Sequence, residues 1–209
     1  MDIWLLILFV ATEFMFSLSP GPAVAAVVSS SIAGGYRLAI SAILGVLIGN
    51  LIYFIVSATL ISAGTSVSGD YFYYIKIAGC SYLVYILYKE YISHLFSNKN
   101  RDEFPEKRDE TTRNGSRRFI ITFVMQVSNP KTILFFAAFL PQFIDNEYNL
   151  AVQFVTLAFL SFMTEFVVLM AYAAGGQAML KYGSEKLGEY ANHVGNAMMV
   201  IAVIWSLFR

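Results

Sequence analysis

The 25-residue stretch LAISAILGVLIGNLIYFIVSATLIS, residues 38–62, contains no aspartate, glutamate, lysine or arginine. An α-helix of about 20 apolar residues spans the hydrocarbon core of a bilayer. Residues 38–62 are therefore long enough and apolar enough to form a transmembrane helix. Within the stretch, Gly45 and Gly49 stand four residues apart, a spacing that lets a second membrane helix approach closely.

The composition of the whole chain agrees with a membrane protein. Of its 209 residues, 57% are hydrophobic and 13% are charged, whereas a soluble globular domain carries roughly 25% charged residues. Five more apolar segments are predicted, over residues 3–33, 71–88, 119–144, 150–174 and 190–208. The predicted fold class is therefore all-α, a polytopic membrane protein with six transmembrane helices.

Charged residues concentrate between the third and fourth predicted helices. Residues 89–118 hold eight basic and six acidic residues, and the loops on the same side hold Arg37, Lys181 and Lys186. Because cytoplasmic loops carry an excess of Lys and Arg, both termini are predicted to lie outside the cytoplasm. The predicted division of the chain is a first three-helix half, a charged cytoplasmic loop and a second three-helix half: residues 1–95, 96–116 and 117–209.

Proline interrupts the first and fourth predicted helices at comparable places, in Ser19-Pro20-Gly21-Pro22 and Ser128-Asn129-Pro130-Lys131. Paired interruptions are typical of transporters built from an inverted repeat, so a 3+3 inverted repeat is predicted. The prolines would free the carbonyls of Phe16, Leu18 and Gln126, which favours a polar interior. Each helix that restarts would offer N–H groups to an anion such as a substrate carboxylate. A simple bend without a function is the alternative.

Three ionisable side chains lie at membrane depth, namely Glu13, Lys131 and Glu165. A charge near the bilayer centre costs at least about 3 kcal/mol, so such residues usually face a cavity or a partner. Burial disfavours a charged carboxylate and a nearby ammonium favours it, so Glu165 and Glu13 are candidates for proton coupling. Three roles are compatible with Lys131 in the sequence. They are attraction of a substrate carboxylate, pairing with Glu165 to hold two helices together, and extension to the membrane interface.

The candidates for substrate binding surround the two interruptions. They are Pro20, Gly21, Pro22, Gln126, Asn129, Pro130 and Lys131. No catalytic residue, metal site or cofactor is predicted, because the sequence contains neither G-x-S-x-G nor H-E-x-x-H and no spaced Cys and His ligands. The net charge of the chain is zero. A nucleic-acid-binding protein typically has a basic surface, so this class is not predicted.

An ordered set of short motifs resembles the LysE/RhtB family of amino-acid exporters. The motifs span nearly the whole chain: Leu18-Ser19-Pro20-Gly21-Pro22, Gly34-Gly35-Tyr36-Arg37, Gly45-x-x-x-Gly49, Ala78-Gly79-x-x-Tyr82-Leu83, Ser128-Asn129-Pro130-Lys131 and Leu140-Pro141-Gln142-Phe143-Ile144. The resemblance implies a six-helix exporter of amino acids or close derivatives, driven by the proton-motive force. It also implies an acidic residue in the fifth helix, which Glu165 matches. Ala23 stands where relatives often have Asn, and Glu13 does not match a family position.

The expected function is a proton-coupled antiporter of the bacterial cytoplasmic (inner) membrane that exports an amino acid by alternating access. Its expected partners are the small-molecule substrate, protons and the lipid bilayer, and a homo-oligomer is compatible with the sequence. One alternative is an exporter of an inorganic ion or another small metabolite, although thiol and imidazole clusters are absent from the sequence. The other is a non-transporting membrane scaffold that docks through the central loop, although that loop is mixed in charge.

Overall fold

The computed structural model describes residues 2–18, 21–63, 85, 114–145 and 147–182. Every element in these ranges is helical, which confirms the all-α prediction for this part of the chain. The elements are α1 (Ile3–Leu18), α2 (Pro22–Ala63), α3 (Gly115–Val127), α4 (Pro130–Leu134) and α5 (Leu150–Tyr182). Several predictions lie outside the described residues: Pro20, the third segment except Tyr85, loop residues 96–113, Lys186 and the sixth segment.

Helix α2 contains a break at a glycine pair, which lies between the predicted segments 3–33 and 38–62. Gly34 and Gly35 have non-helical backbone angles, with φ 69° and ψ −164° at Gly35. A positive φ is strained for residues with a Cβ, which explains glycine at this position. The helix then resumes and includes the whole uncharged stretch 38–62. Side chains from both sides of the break, such as Val27 and Ile43, are buried in one cluster with Leu169 of α5.

Helix α3 packs closely against α2 at the two glycines of the uncharged stretch. A Cβ built on Gly45 would lie 2.4 Å from the carbonyl oxygen of Phe119, and one on Gly49 would lie 2.9 Å from Cβ of Gln126. Neither position accommodates a side chain unless the helices separate. The close approach predicted from the Gly45 and Gly49 spacing is therefore present, and it brings Gln126 against the middle of α2.

The fourth predicted segment is a bent pair of helices. The axes of Gly115–Val127 and Pro130–Phe143 differ by 52°, so the interruption predicted at Asn129-Pro130 is present. Beyond α4 the chain makes a π-helical turn (Phe135–Phe139) and a 3₁₀ turn (Leu140–Phe143). Their phenylalanines are buried together with Phe9 and Phe54. This aromatic packing fixes the segment after the bend against α1 and α2.

Helix α5 is longer than predicted. The sequence predicts its end near Ala174 and places Lys181 in the following loop, but α5 continues to Tyr182. A Cβ on Gly176 would lie 3.3 Å from the carbonyl oxygen of Val28, and the Gln177 amide donates a hydrogen bond to the Ser31 carbonyl. Gly176 therefore allows close contact with α2, and the predicted end of the helix is wrong.

The exposed and buried faces of α5 have the polarity expected in a membrane. Val155 and Phe159 are 71% and 62% exposed, whereas Ser161 and Glu165 are 0% and 8% exposed. A helix at a water interface has the opposite arrangement, with its polar face outside. Apolar side chains thus face outward and polar ones face the protein interior, where buried polar groups find partners.

Two described helices, Pro22–Ser62 and Leu150–Ala178, are long and apolar enough to cross a membrane. A third span is added if the bent pair Gly115–Val127 and Pro130–Phe143 counts as one. The helix Ile3–Leu18 is apolar but shorter. The structure of the described part of the chain is therefore that of a membrane-embedded helical protein.

Candidate functional site

Polar side chains gather in the interior where the end of α1, the middles of α2 and α5, and the bend between α3 and α4 meet. The buried polar residues in this region come from all five helices or the bend: Glu13, Asn50, Gln126, Asn129, Thr132, Ser161 and Glu165. Apolar clusters enclose them. A buried polar group is costly unless it forms hydrogen bonds, so the contacts of this set determine what the site can do.

The interruption between α3 and α4 is capped mainly by its own residues. Asn129 Oδ1 accepts a hydrogen bond from the Lys131 N–H at 3.1 Å, which satisfies one N–H at the start of α4. The Asn129 N–H donates to the Gln126 carbonyl at 3.0 Å. From α2, the Tyr53 hydroxyl donates to the Val127 carbonyl. The Gln126 carbonyl predicted to be free therefore has a partner.

The interruption between α1 and α2 is capped by other helices. The Lys131 ammonium donates to the Phe16 carbonyl at 2.9 Å and lies 4.5 Å from the centroid of the Phe16 ring. The Tyr172 hydroxyl, on α5, donates to the Leu18 carbonyl at 2.6 Å. The two carbonyls predicted to be free are thus satisfied by α4 and α5. Tyr172 thus connects α5 to the end of α1.

A chain of side-chain hydrogen bonds connects α5 with the bend. Glu165 Oε2 accepts from Asn50 Nδ2 at 2.5 Å, and Asn50 Oδ1 accepts from Gln126 Nε2 at 2.6 Å. Gln126 Nε2 also donates to Thr132 Oγ1 at 3.0 Å. Gln126 Oε1 accepts from Asn129 Nδ2 at 3.4 Å. A change in the protonation of Glu165 can therefore be transmitted through these hydrogen bonds to Asn129, the residue that caps α4.

The second buried carboxyl, Glu13, has different surroundings. Its Oε1 accepts from the Ser161 hydroxyl at 2.9 Å, whereas its Oε2 is buried and has no hydrogen-bond partner among the described residues. Ser161 and Glu165 are one helical turn apart on α5, so both carboxyls lie at the same face of that helix. Lys131 is within electrostatic range of both.

Most of the predicted site residues come together. Gly21, Gln126, Asn129, Lys131, Glu13 and Glu165 all lie in this region. Gly21 is next to Lys131, since a Cβ on Gly21 would lie 3.9 Å from Lys131 Cδ. Pro22 and Pro130 are exposed and begin α2 and α4. These two prolines therefore contribute to the site by determining where α2 and α4 begin.

The sequence pattern does not single out three members of the site, namely Asn50, Thr132 and Ser161. Asn50 is the only carboxamide in the uncharged stretch 38–62, which is the one signal that points to it. Its partner Glu165 is 115 residues away, however, and no local pattern predicts such a pair.

The chemistry available here is reversible binding. Within the described ranges, no group of three His, Cys, Asp or Glu residues is arranged to hold a metal ion. Carboxyl, ammonium and carboxamide groups bind polar solutes through hydrogen bonds, and a carboxyl group also exchanges protons. These are the functions that a transport site requires.

Comparison with known proteins agrees with this chemistry. The model of the LysE type translocator family matches residues 14–205. The chain belongs to the LysE type translocator family. The family resemblance inferred from the motifs is thereby confirmed, and the family is one of transporters. The region of the chain that the family model matches includes both interruptions and Glu165. It begins one residue after Glu13.

Two relatives of this LysE type translocator cover most of its length. An uncharacterized membrane protein of Vibrio cholerae is 28% identical over 184 residues, which cover 87% of this chain and 85% of the relative. A homoserine/homoserine lactone efflux protein of Salmonella typhimurium is 25% identical over 203 residues, covering 96% and 95%. No solved structure matches the chain.

Proposed function

We propose that this LysE type translocator is a proton-coupled exporter of amino acids or close derivatives in the cytoplasmic membrane of a bacterium. The observation that carries the proposal is the buried chain of hydrogen bonds from Glu165 to the bend between α3 and α4. It provides a titratable group and a physical connection to the bend in the helix framework. The efflux protein of Salmonella typhimurium makes homoserine the first substrate to test.

Glu165 is the proposed proton carrier. As a carboxylate it accepts a hydrogen bond from Asn50 Nδ2. After it takes up a proton, the carboxyl becomes a donor as well, whereas Asn50 presents its donor Nδ2 to Glu165 and its acceptor Oδ1 to Gln126. Proton uptake therefore favours a rearrangement of Asn50 and Gln126. Because Gln126 contacts Asn129, the rearrangement reaches the start of α4.

The substrate carboxylate is proposed to bind beside Lys131. Its ammonium group lies between the end of α1 and the start of α4, where its positive charge attracts an anion. The other residues proposed to shape this position are Pro20, Gly21, Pro22, Gln126, Asn129 and Pro130. Movement of α4 relative to α1 would open the position to one side of the membrane or the other, which is alternating access.

The proposed architecture has six membrane spans in two halves of three, residues 1–95 and 117–209, related as an inverted repeat. Three observations support it: the two long apolar helices, the bent pair and the two proline-containing interruptions. Both termini are proposed to lie outside the cytoplasm. The excess of basic residues in the loops on the opposite side supports this orientation.

Reconstituted Glu165→Gln protein tests the coupling role. We expect the variant to exchange homoserine across the vesicle membrane, because the binding position is intact, but to lose accumulation driven by a pH gradient. The matched control is Glu147→Gln, which removes the charge of an exposed glutamate in the connection before α5. Correctly folded Glu165→Gln protein that still couples transport to the pH gradient would disprove the proton-carrying role.

A further inference from the structure

We infer that Glu13 binds the ammonium group of the substrate, so that the transporter selects solutes that carry both a free amino group and a carboxylate. The inference rests on the proposed function and adds a second binding group to it. The sequence alone makes Glu13 a second candidate for proton coupling. The contacts of its two oxygens indicate a different task.

One oxygen of Glu13 is available to a donor that the described residues do not supply. The residue is 3% exposed, its Oε1 accepts from Ser161, and its Oε2 is buried without a hydrogen-bond partner in the described part of the chain. Buried polar groups almost always have partners, so an exception requires an explanation. An ammonium group has donors and no acceptor, which makes it the complementary ligand for a carboxylate oxygen.

The two buried carboxyls differ in their connections. Glu165 is joined through Asn50 and Gln126 to the cap of α4. The described contact of Glu13 is with Ser161 on α5, which is not part of that chain of hydrogen bonds. A change in the charge of Glu165 can be transmitted to the bend through hydrogen bonds, whereas Glu13 has an open acceptor and, among the described residues, no hydrogen bond that leads to the bend. Glu165 therefore suits coupling, and Glu13 suits ligand binding.

The position of Lys131 supplies the second half of the binding site. Its ammonium donates to the Phe16 carbonyl. Phe16 follows Glu13 by three residues on α1, and Lys131 is near enough to Glu13 to interact with its carboxyl electrostatically. An acceptor and a cation thus lie in the same region near the end of α1. An α-amino acid carries an ammonium and a carboxylate on the same carbon, so it complements such a pair of opposite charges.

The test compares an amino acid with the corresponding 2-hydroxy acid, which has a hydroxyl in place of the ammonium. The probes are homoserine and 2,4-dihydroxybutyrate, or the best-transported amino acid of a panel and its hydroxy analogue. Half-saturating concentrations and maximal rates are measured in proteoliposomes. The variants are Glu13→Gln, which removes the charge at constant size, Glu13→Asp, which keeps it, and the exposed control Glu147→Gln.

We expect Glu13→Gln to raise the half-saturating concentration of the amino acid by about tenfold or more, the effect of losing a hydrogen bond to a charged group. The half-saturating concentration of the hydroxy acid should stay unchanged. Accumulation driven by a pH gradient should persist at a saturating concentration of the amino acid. Glu13→Asp should retain the preference for the amino group, which a merely structural role would not predict. Size-exclusion chromatography and substrate exchange verify that each variant is folded.

Two results would overturn the inference while leaving the proposed function intact. One is an unchanged half-saturating concentration for the amino acid in Glu13→Gln. The other is an equal loss of pH-driven transport for both probes, which would make Glu13 a proton carrier. Wild-type vesicles that transport no amino acid at all would overturn the proposed function, and the inference with it. Misfolded Glu13→Asp and Glu13→Gln proteins would make Glu13 a structural residue.

Discussion

The two helix interruptions are stabilised in different ways. At the bend between α3 and α4, Asn129 caps the new helix with its side chain and satisfies the Gln126 carbonyl with its N–H. At the interruption between α1 and α2, the donors come from residues 115 and 154 positions away, Lys131 and Tyr172. The bend is thus set largely by local chemistry, whereas the end of α1 is set by tertiary contacts.

This difference indicates which part of the site can move. A local cap moves together with the helix that it caps, so α4 keeps its start if it shifts as a unit. The end of α1 has satisfied carbonyls only while α4 and α5 remain in place. Movement of α4 would therefore break the contact between Lys131 and Phe16 first. In an alternating-access cycle that contact is the expected point of opening.

Replacement of Lys131 should have the largest effect on this arrangement. Lys131→Met removes the donor to the Phe16 carbonyl, and a hydrogen bond to a charged group contributes about 1.5–3 kcal/mol. It also removes the cation within electrostatic range of Glu13 and Glu165. We expect a lower free energy of unfolding by about 3 kcal/mol, measured by thermal unfolding of the purified protein, and loss of substrate exchange.

Lys131→Arg is the matched control because it keeps a cation and its donors. We expect it to recover most of the stability lost in Lys131→Met. If Lys131→Met unfolds at the wild-type temperature, the Phe16 carbonyl does not depend on α4, and the contrast between the two interruptions fails. If Lys131→Arg is as unstable as Lys131→Met, the shape of the lysine matters more than its charge.

Replacement of Tyr172 should lower the stability less than replacement of Lys131. Tyr172→Phe leaves the Leu18 carbonyl without its donor, and an unsatisfied buried group costs about 1–3 kcal/mol. Because Tyr172 is only half-buried, we expect a loss of about 1 kcal/mol, again by thermal unfolding. Tyr148→Phe is the control, since Tyr148 is 50% exposed in the connection before α5. Equal stability of the two variants would show that α5 does not hold the end of α1.

The sequence predicts the features of this site that depend on local chemistry. Proline prevents a continuous hydrogen-bonded helix, so the break at Pro130 follows from residue type alone. Gly45 and Gly49 predict a close helix contact for a similar reason, because a residue without a side chain allows it. Glu13, Lys131 and Glu165 are conspicuous because charges are rare at membrane depth.

The rest depends on how distant segments pack. The sequence predicts free carbonyls at Phe16 and Leu18 but not the donors that satisfy them, because those donors lie in other helices. The pair of Asn50 and Glu165 escapes prediction for the same reason. Glycine at position 176 is ambiguous in sequence, since it is common both at the ends of helices and at close contacts between membrane helices.

Asn129 provides the smallest and most selective test of the contrast. Serine is as good an N-cap as asparagine, and replacement of such a cap by alanine costs about 1 kcal/mol. If the bend is set by local capping, Asn129→Ser should keep wild-type stability and Asn129→Ala should lose about 1 kcal/mol in thermal unfolding. Equal losses in both variants would instead assign the stabilisation to the contact with Gln126 Oε1, which serine is too short to make. The bend would then depend on the interior chain of hydrogen bonds, as the end of α1 depends on α4 and α5.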